Sequence, residues 1–191
     1  MQVTGMRTRR SLEDYAHTTA DTWRWRPAAG TDVEAITDLS LVHFRAETEG
    51  VFENSPVEYS RRITLAIVNQ FYNPRKELVS VAESTVNKSI VAYTWAERGH
   101  HVAWSAEELI SIQMAHVDLA LSTRDRVFLC AQMMRMWEVW AEACEVKIIN
   151  SSTVRSDQTA FLNLHRSAGY QVRGSTAYKR LNQVTFEVPA V

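Results

Sequence analysis

Asp157-Gln-Thr-Ala-Phe-Leu-Asn-Leu-His-Arg-Ser-Ala-Gly-Tyr170 is the stretch from which the fold is read. Ser156-Asp-Gln offers polar residues suited to a helix start, and Ala160, Leu162, Leu164 and His165 follow along that helix. Gly169 stands where the chain leaves the helix, a position that calls for left-handed backbone and therefore favours glycine. Tyr170 to Leu181, closing on Tyr178-Lys-Arg-Leu181, then reads as a strand, with 182–191 as a C-terminal tail.

Working upstream, Val146-Lys-Ile-Ile149 is a short apolar run of the kind that forms a buried strand. Before it, Val127 to Cys144 is the longest helix. Its polar residues Gln132, Arg135, Glu138 and Glu142 make one narrow stripe, and Phe128, Leu129, Met133, Met134, Met136, Trp137, Val139 and Trp140 make the rest apolar. So wide an apolar surface predicts burial against a sheet, with a neighbouring helix or a second copy covering more of it. Further upstream the period becomes two. Ile112 to Leu121 reads as a strand with His116, Asp118 and Ala120 on one face and Val117, Leu119 and Leu121 on the other. A polar, His-containing loop over 97–108 precedes it. Glu77-Leu-Val-Ser-Val-Ala-Glu83 and Ser89-Ile-Val-Ala-Tyr-Thr-Trp95 read as adjacent strands joined by a turn at Asn87-Lys88.

Two helices come earlier. Ser55-Pro-Val-Glu58 combines a capping serine, a first-turn proline and a returning glutamate, and Ile63, Ala66, Ile67 and Phe71 then turn inward until Asn73-Pro74 stops the helix. Thr31-Asp-Val-Glu34 matches a capping box, ahead of Ile36, Leu39, Val42 and His43 at helical spacing over about 32–46. Trp23-Arg-Trp-Arg26 alternates like a short strand. The order is β-α-α-β-β-β-α-β-α-β: an α/β (α+β) chain with a mixed sheet flanked by helices, one domain over 23–181 with an N-terminal extension over 1–22.

Composition narrows the function. The chain has 191 residues, 46% of them hydrophobic, with 21 basic and 22 acidic residues for a net charge of −1. That apolar fraction excludes a disordered chain, and the balanced charge gives no basic footprint for nucleic acid. No apolar run reaches the length of a membrane span, and Ser-Leu-Glu-Asp14 occupies the place of a signal peptide's apolar core. Cys130 and Cys144 lie fourteen residues apart in one helix-like segment, about 21 Å along its axis, so they do not pair there. Two free thiols fit a reducing, cytoplasmic setting.

The order of elements and the block from Asp157 to Leu181 resemble the GNAT family of N-acetyltransferases over residues 24–181. The resemblance implies acyl transfer from acetyl-CoA to an amine. It implies that Leu119 and Leu121 belong to the strand offering backbone N–H groups to the pantetheine arm. It places Arg124, Arg126 and Val127 in the loop that wraps the pyrophosphate. That loop, Ser122-Thr-Arg-Asp-Arg-Val-Phe128, lacks the family's glycines and carries Asp125 at the helix start. His116 or Asp118 is then the base that takes the amine's proton, with Glu83 a weaker candidate, and His165 the acid toward the leaving thiolate. His100-His101 and Glu107-Glu108 lack metal-site spacing, and Ser151-Ser152-Thr153 has no partner at a recognisable offset that would make a nucleophile. The alternative is a GNAT-fold binding or structural protein that has lost the cofactor loop and meets partners, or a second copy, through the long helix. The layout is also similar to acetyltransferase-like proteins encoded by bacteriophages. That likeness implies a virion component or an enzyme of the host cytoplasm.

Overall fold

A computed structural model describes residues 22–48, 51–153 and 158–174 of the chain. Over these run β1 (Trp23–Pro27), a 3-10 turn (Gly30–Asp32), α1 (Val33–Glu47), α2 (Pro56–Tyr72), β2 (Glu77–Ser84) and β3 (Ile90–His101). β4 (Glu108–Val117), α3 (Thr123–Ala143), β5 (Ile148–Ser151) and α4 (Thr159–Ser167) follow. Of the final strand expected at 170–181, residues 170–174 are described and form no strand. Residues 175–181, the extension 1–21 and the tail 182–191 lie outside the described residues.

The sheet has the order β1-β2-β3-β4-β5. Neighbours are antiparallel through β4, and β5 then joins parallel to β4 after the α3 crossover. Side chains alternate across it into two apolar layers. Val79, Val81 and Tyr93 face α1 and α2, where Ile36, Tyr59, Ile63, Ala66 and Ile67 close one core. Ala82, Ala92, Ala96, Ile110 and Val117 face α3, where Leu129, Met133, Met134, Trp137 and Ala141 close the other. At the centre of β3 the neighbours Tyr93 and Thr94 send polar atoms into opposite layers. Tyr93 Oη lies 2.6 Å from Ser40 Oγ of α1, and Thr94 Oγ1 accepts the Trp137 indole N–H of α3 at 2.8 Å.

Local chemistry explains most boundaries. Ser55 Oγ accepts the Glu58 N–H at 3.3 Å with Pro56 in the first turn, as expected, but the Glu58 carboxylate turns to Arg61 and Arg62 instead of returning to the cap. The Thr31–Glu34 capping box does not form. Asp32 takes over: its carboxylate accepts the Ala29 N–H at 2.8 Å and a two-pronged bond from Arg26 at 2.7 and 2.8 Å. The same guanidinium reaches Glu83 at 3.0 Å, so Glu83 serves an ion pair and not a base. Gly169 follows α4 with φ +86°, the left-handed turn its position demanded.

Other expectations are corrected. Phe71 is exposed, and Tyr59 fills the apolar face of α2 in its place; Val42 is exposed too. Half of the 97–108 loop is sheet: β3 continues through His100-His101, and shifts of register at Trp95/Ala96 and Glu97/His100 break the alternation that would have shown it. Val146 is buried ahead of the strand, and β5 itself is a partly exposed strand of four residues, the last of the sheet among the described residues. The broad apolar face of α3 is consumed largely within the chain, against the sheet. Both cysteines are free.

Candidate functional site

β5 pairs with β4 only from Leu109↔Ile148 to Ile112↔Ser151. β4 runs on through Val117, so from Gln113 to Val117 its outer edge has no strand partner among the described residues. This opening is where a ligand can meet backbone N–H and C=O groups that elsewhere belong to the sheet.

His116 stands near its end, 3% exposed, on the α1–α2 side of the sheet. Its Nδ1 lies 2.8 Å from Tyr93 Oη, and its Nε2 lies 3.3 Å from Glu47 Oε2 of α1. His43, one helical turn before Glu47, stacks on His116 with 4.2 Å between ring centroids and 3° between planes. Its Nε2 meets the Val117 carbonyl at 2.8 Å, and its Nδ1 lies 3.4 Å from Glu47 Oε1.

Counting protons fixes the tautomers. Ser40 gives its one hydroxyl proton to the Ile36 carbonyl at 2.6 Å, so it accepts from Tyr93. Tyr93 has then spent its own proton and accepts from both Tyr59 Oη, at 2.6 Å, and His116 Nδ1. Burial pushes both phenols up, Tyr59 to about 12, so those protons stay in place. His43 must likewise donate from Nε2, because a carbonyl only accepts. Burial raises the Glu47 carboxyl, but the positive charge that the adjacent His116 and His43 rings carry when protonated outweighs it and holds the group down at about 2.

The other sequence candidates fall elsewhere. β4 ends before Asp118, which therefore shares no strand face with His116. Its carboxylate accepts the Ala120 N–H at 2.9 Å and its carbonyl the Leu121 N–H at 3.2 Å, closing a turn. Leu119 and Leu121 lie in that turn and not on the strand, so the edge with no strand partner among the described residues belongs to Gln113–Val117. The expected loop 122–128 is already helix from Thr123. There Ser122 Oγ accepts the Asp125 N–H at 3.2 Å and donates to its carboxylate at 2.7 Å. Arg124 is exposed, Val127 half-buried, and Arg126 Nε is buried with no hydrogen-bond partner among the described residues. His165 is buried on α4. Its Nδ1 donates to the Phe161 carbonyl at 2.9 Å, and its Nε2 accepts from Ser151 Oγ at 3.0 Å. Burial lowers its pKa against the help of the Phe161 bond, leaving a neutral ring with no Nε2 proton to give.

His43, Glu47, Tyr93 and Ser151 are the partners that sequence spacing missed. Only the i, i+4 placement of His43 and Glu47 on one helix face signals them.

No family model and no curated protein matches the sequence. Solved structures do. An aminoglycoside antibiotic 6'-N-acetyltransferase, AAC(6')-Ih from Acinetobacter baumannii, is 13% identical with a TM-score of 0.61, over 84% of this chain and 98% of its own. The fold is that of the GNAT acetyltransferases. The tetramutant of the BH1408 protein from Bacillus halodurans superposes with a TM-score of 0.63 at 17% identity, over 83% of this chain and 99% of that one. AAC(6')-Iy, in complex with the bisubstrate analog CoA-S-monomethyl-acetylneamine, gives 0.59 at 12% identity, over 83% and 97%. In this GNAT-fold chain no described helix is long and apolar enough to cross a membrane.

Proposed function

We propose that the chain is a divergent N-acetyltransferase moving an acetyl group from acetyl-CoA to an amine of a small molecule or protein, in the cytoplasm. One observation carries the reading: β4 parts from β5 after Ile112 and Ser151, leaving the edge from Gln113 to Val117 without a strand partner among the described residues, beside a buried imidazole. The residues at the start of α3 suit a diphosphate in part. Arg126 Nε is a buried donor without an acceptor among the described residues, Arg124 adds an exposed charge, and the helix terminus adds partial positive charge. Asp125 opposes them, although its carboxylate is turned onto Ser122.

Bound acetyl-CoA supplies a thioester carbonyl carbon for attack. The chain orients the amine beside β4 and relieves its nitrogen of a proton at His116 Nε2, the one ring atom not committed to Tyr93. The nitrogen–carbon bond forms, the carbon–sulfur bond breaks, and the sulfur leaves as a thiolate. A thiol with a pKa of about 8.5 needs no strong acid for that step, which suits the neutral state of His165.

A second reading is favoured by the Ser122–Asp125 pair, which fills part of the α3 terminus. It is a GNAT-fold binding protein, a phage virion component for example. Val57, Leu65, Val68 and Tyr72 then give it an exposed apolar row on α2 for a partner. Calorimetric titration with acetyl-CoA decides. The enzyme reading expects binding that Arg126→Ala weakens at least tenfold, and no heat and no thermal shift at millimolar acetyl-CoA overturns it.

A further inference from the structure

Three side chains able to ligate a metal meet between α1 and β4. With His116 donating from Nδ1 and His43 from Nε2, the remaining nitrogens of the neutral rings carry lone pairs, and both lie beside the oxygens of one carboxylate. His43 Nδ1 is buried in a residue 5% exposed and forms no hydrogen bond among the described residues.

We propose that His43, Glu47 and His116 form a binding site for a divalent transition metal, with zinc as the best-fitting ion. Their ligand atoms lie within 4.8 Å of one another. Each ring nitrogen lies beside its own oxygen of Glu47, His116 Nε2 at 3.3 Å from Oε2 and His43 Nδ1 at 3.4 Å from Oε1, near the about 3.3 Å that separates two ligand atoms on a metal bound at about 2.05 Å. Two imidazoles and a carboxylate are an open zinc set, leaving a fourth position for water or a donor from outside. Each histidine already directs its other N–H onto an oxygen, His43 to the Val117 carbonyl and His116 to Tyr93, as second-shell partners of metal-ligating histidines do. The helical i, i+4 spacing puts His43 and Glu47 on one face, and β4 supplies the third ligand from the sheet.

The rings lie parallel, so their lone pairs point side by side. Convergence on one ion requires each ring to turn about its Cβ–Cγ bond, a torsion with a broad, shallow profile. The proposal does not rest on acetyl transfer. His116 Nε2 serves a metal or the amine's proton, never both at once, so the metal-loaded protein transfers acetyl more slowly than the chelated one.

The test uses the full chain stripped with a chelator, free of CoA, and titrated with Co²⁺ and then Zn²⁺. The expected result is one equivalent of Co²⁺ with the visible absorption of a tetrahedral nitrogen–oxygen site, displaced by Zn²⁺, and a raised Tm. Glu47→Gln keeps the shape and loses the charge, and it should weaken binding about 10- to 100-fold. His43→Ala should abolish the spectrum. If that variant fails to fold, Glu47→Gln carries the test. The double variant His100→Ala/His101→Ala, which removes the half-buried imidazole beside Glu97 and the exposed one beside Glu107, should bind as the parent does. No Co²⁺ spectrum at a hundredfold excess overturns the proposal, as does binding that disappears with His100 and His101. Acetyl transfer measured in chelator stays a separate result, so failure of one reading does not conceal the fate of the other.

Discussion

Replacing Tyr93 with Phe removes one oxygen and strands two donors. In the parent that oxygen accepts from Tyr59 Oη and His116 Nδ1 and donates to Ser40. Ser40 keeps its bond to Ile36, so its loss is small. The Tyr59 hydroxyl and the His116 N–H, both buried, are left without acceptors, at about 1–3 kcal/mol each. The expected destabilisation of Tyr93→Phe is therefore roughly 2–6 kcal/mol, a large share of the 5–15 kcal/mol typical of a whole domain. Urea unfolding in chelator, followed by tryptophan fluorescence, should show it as a midpoint lowered by about 1–3 M at an m-value of about 2 kcal/mol/M, with the slope unchanged. The sharper test is Tyr59→Phe in the Tyr93→Phe background. Because it deletes one stranded donor, it should restore about 1 kcal/mol where the same change in the parent costs about that much. A single-variant loss below 1 kcal/mol, or two losses that simply add, would refute the proton count and with it the tautomer assigned to His116.

Two further outcomes follow from the described contacts. His165 has a folded pKa below its ordinary 6.5, so its neutral form stabilises the fold above that value and the contribution is lost as pH falls through the folded pKa. His165→Gln should flatten the stability–pH curve below pH 6.5 in urea titrations, and a curve still as steep as the parent's would contradict the assignment. Asp32→Asn leaves the Arg26 guanidinium with a weaker acceptor and should cost about 1.5–3 kcal/mol in thermal or urea unfolding, while Asp32→Glu recovers only part of it.

The fold was legible wherever a local rule sufficed. Ser55-Pro56 marks a helix start by chemistry within four residues, Gly169 marks a helix end by its own φ, and the Asn87-Lys88 turn separates two apolar runs. What was missed depends on long-range competition. Asp32 was claimed by Arg26 from the preceding strand, which dissolved the box at Thr31. Two register shifts hid the far half of β3 behind polar residues, and the β4 boundary moved ahead of Asp118. Within the site His116 could be named from a strand pattern. Its partner Glu47 lies 69 residues away, and no spacing rule reaches so far.

The neighbouring residues Tyr93 and Thr94 give β3 a second code besides its apolar alternation. Alanine, valine and isoleucine would tolerate either side of this sheet, since both sides are packed with apolar side chains. A slip of one rung would turn the phenol toward Trp137 and the small hydroxyl toward Ser40, breaking both polar circuits in a single movement. Strand alignment in a sheet buried on two sides is thus written in hydroxyl groups, and it is there that a designer wishing to transplant this sheet should begin.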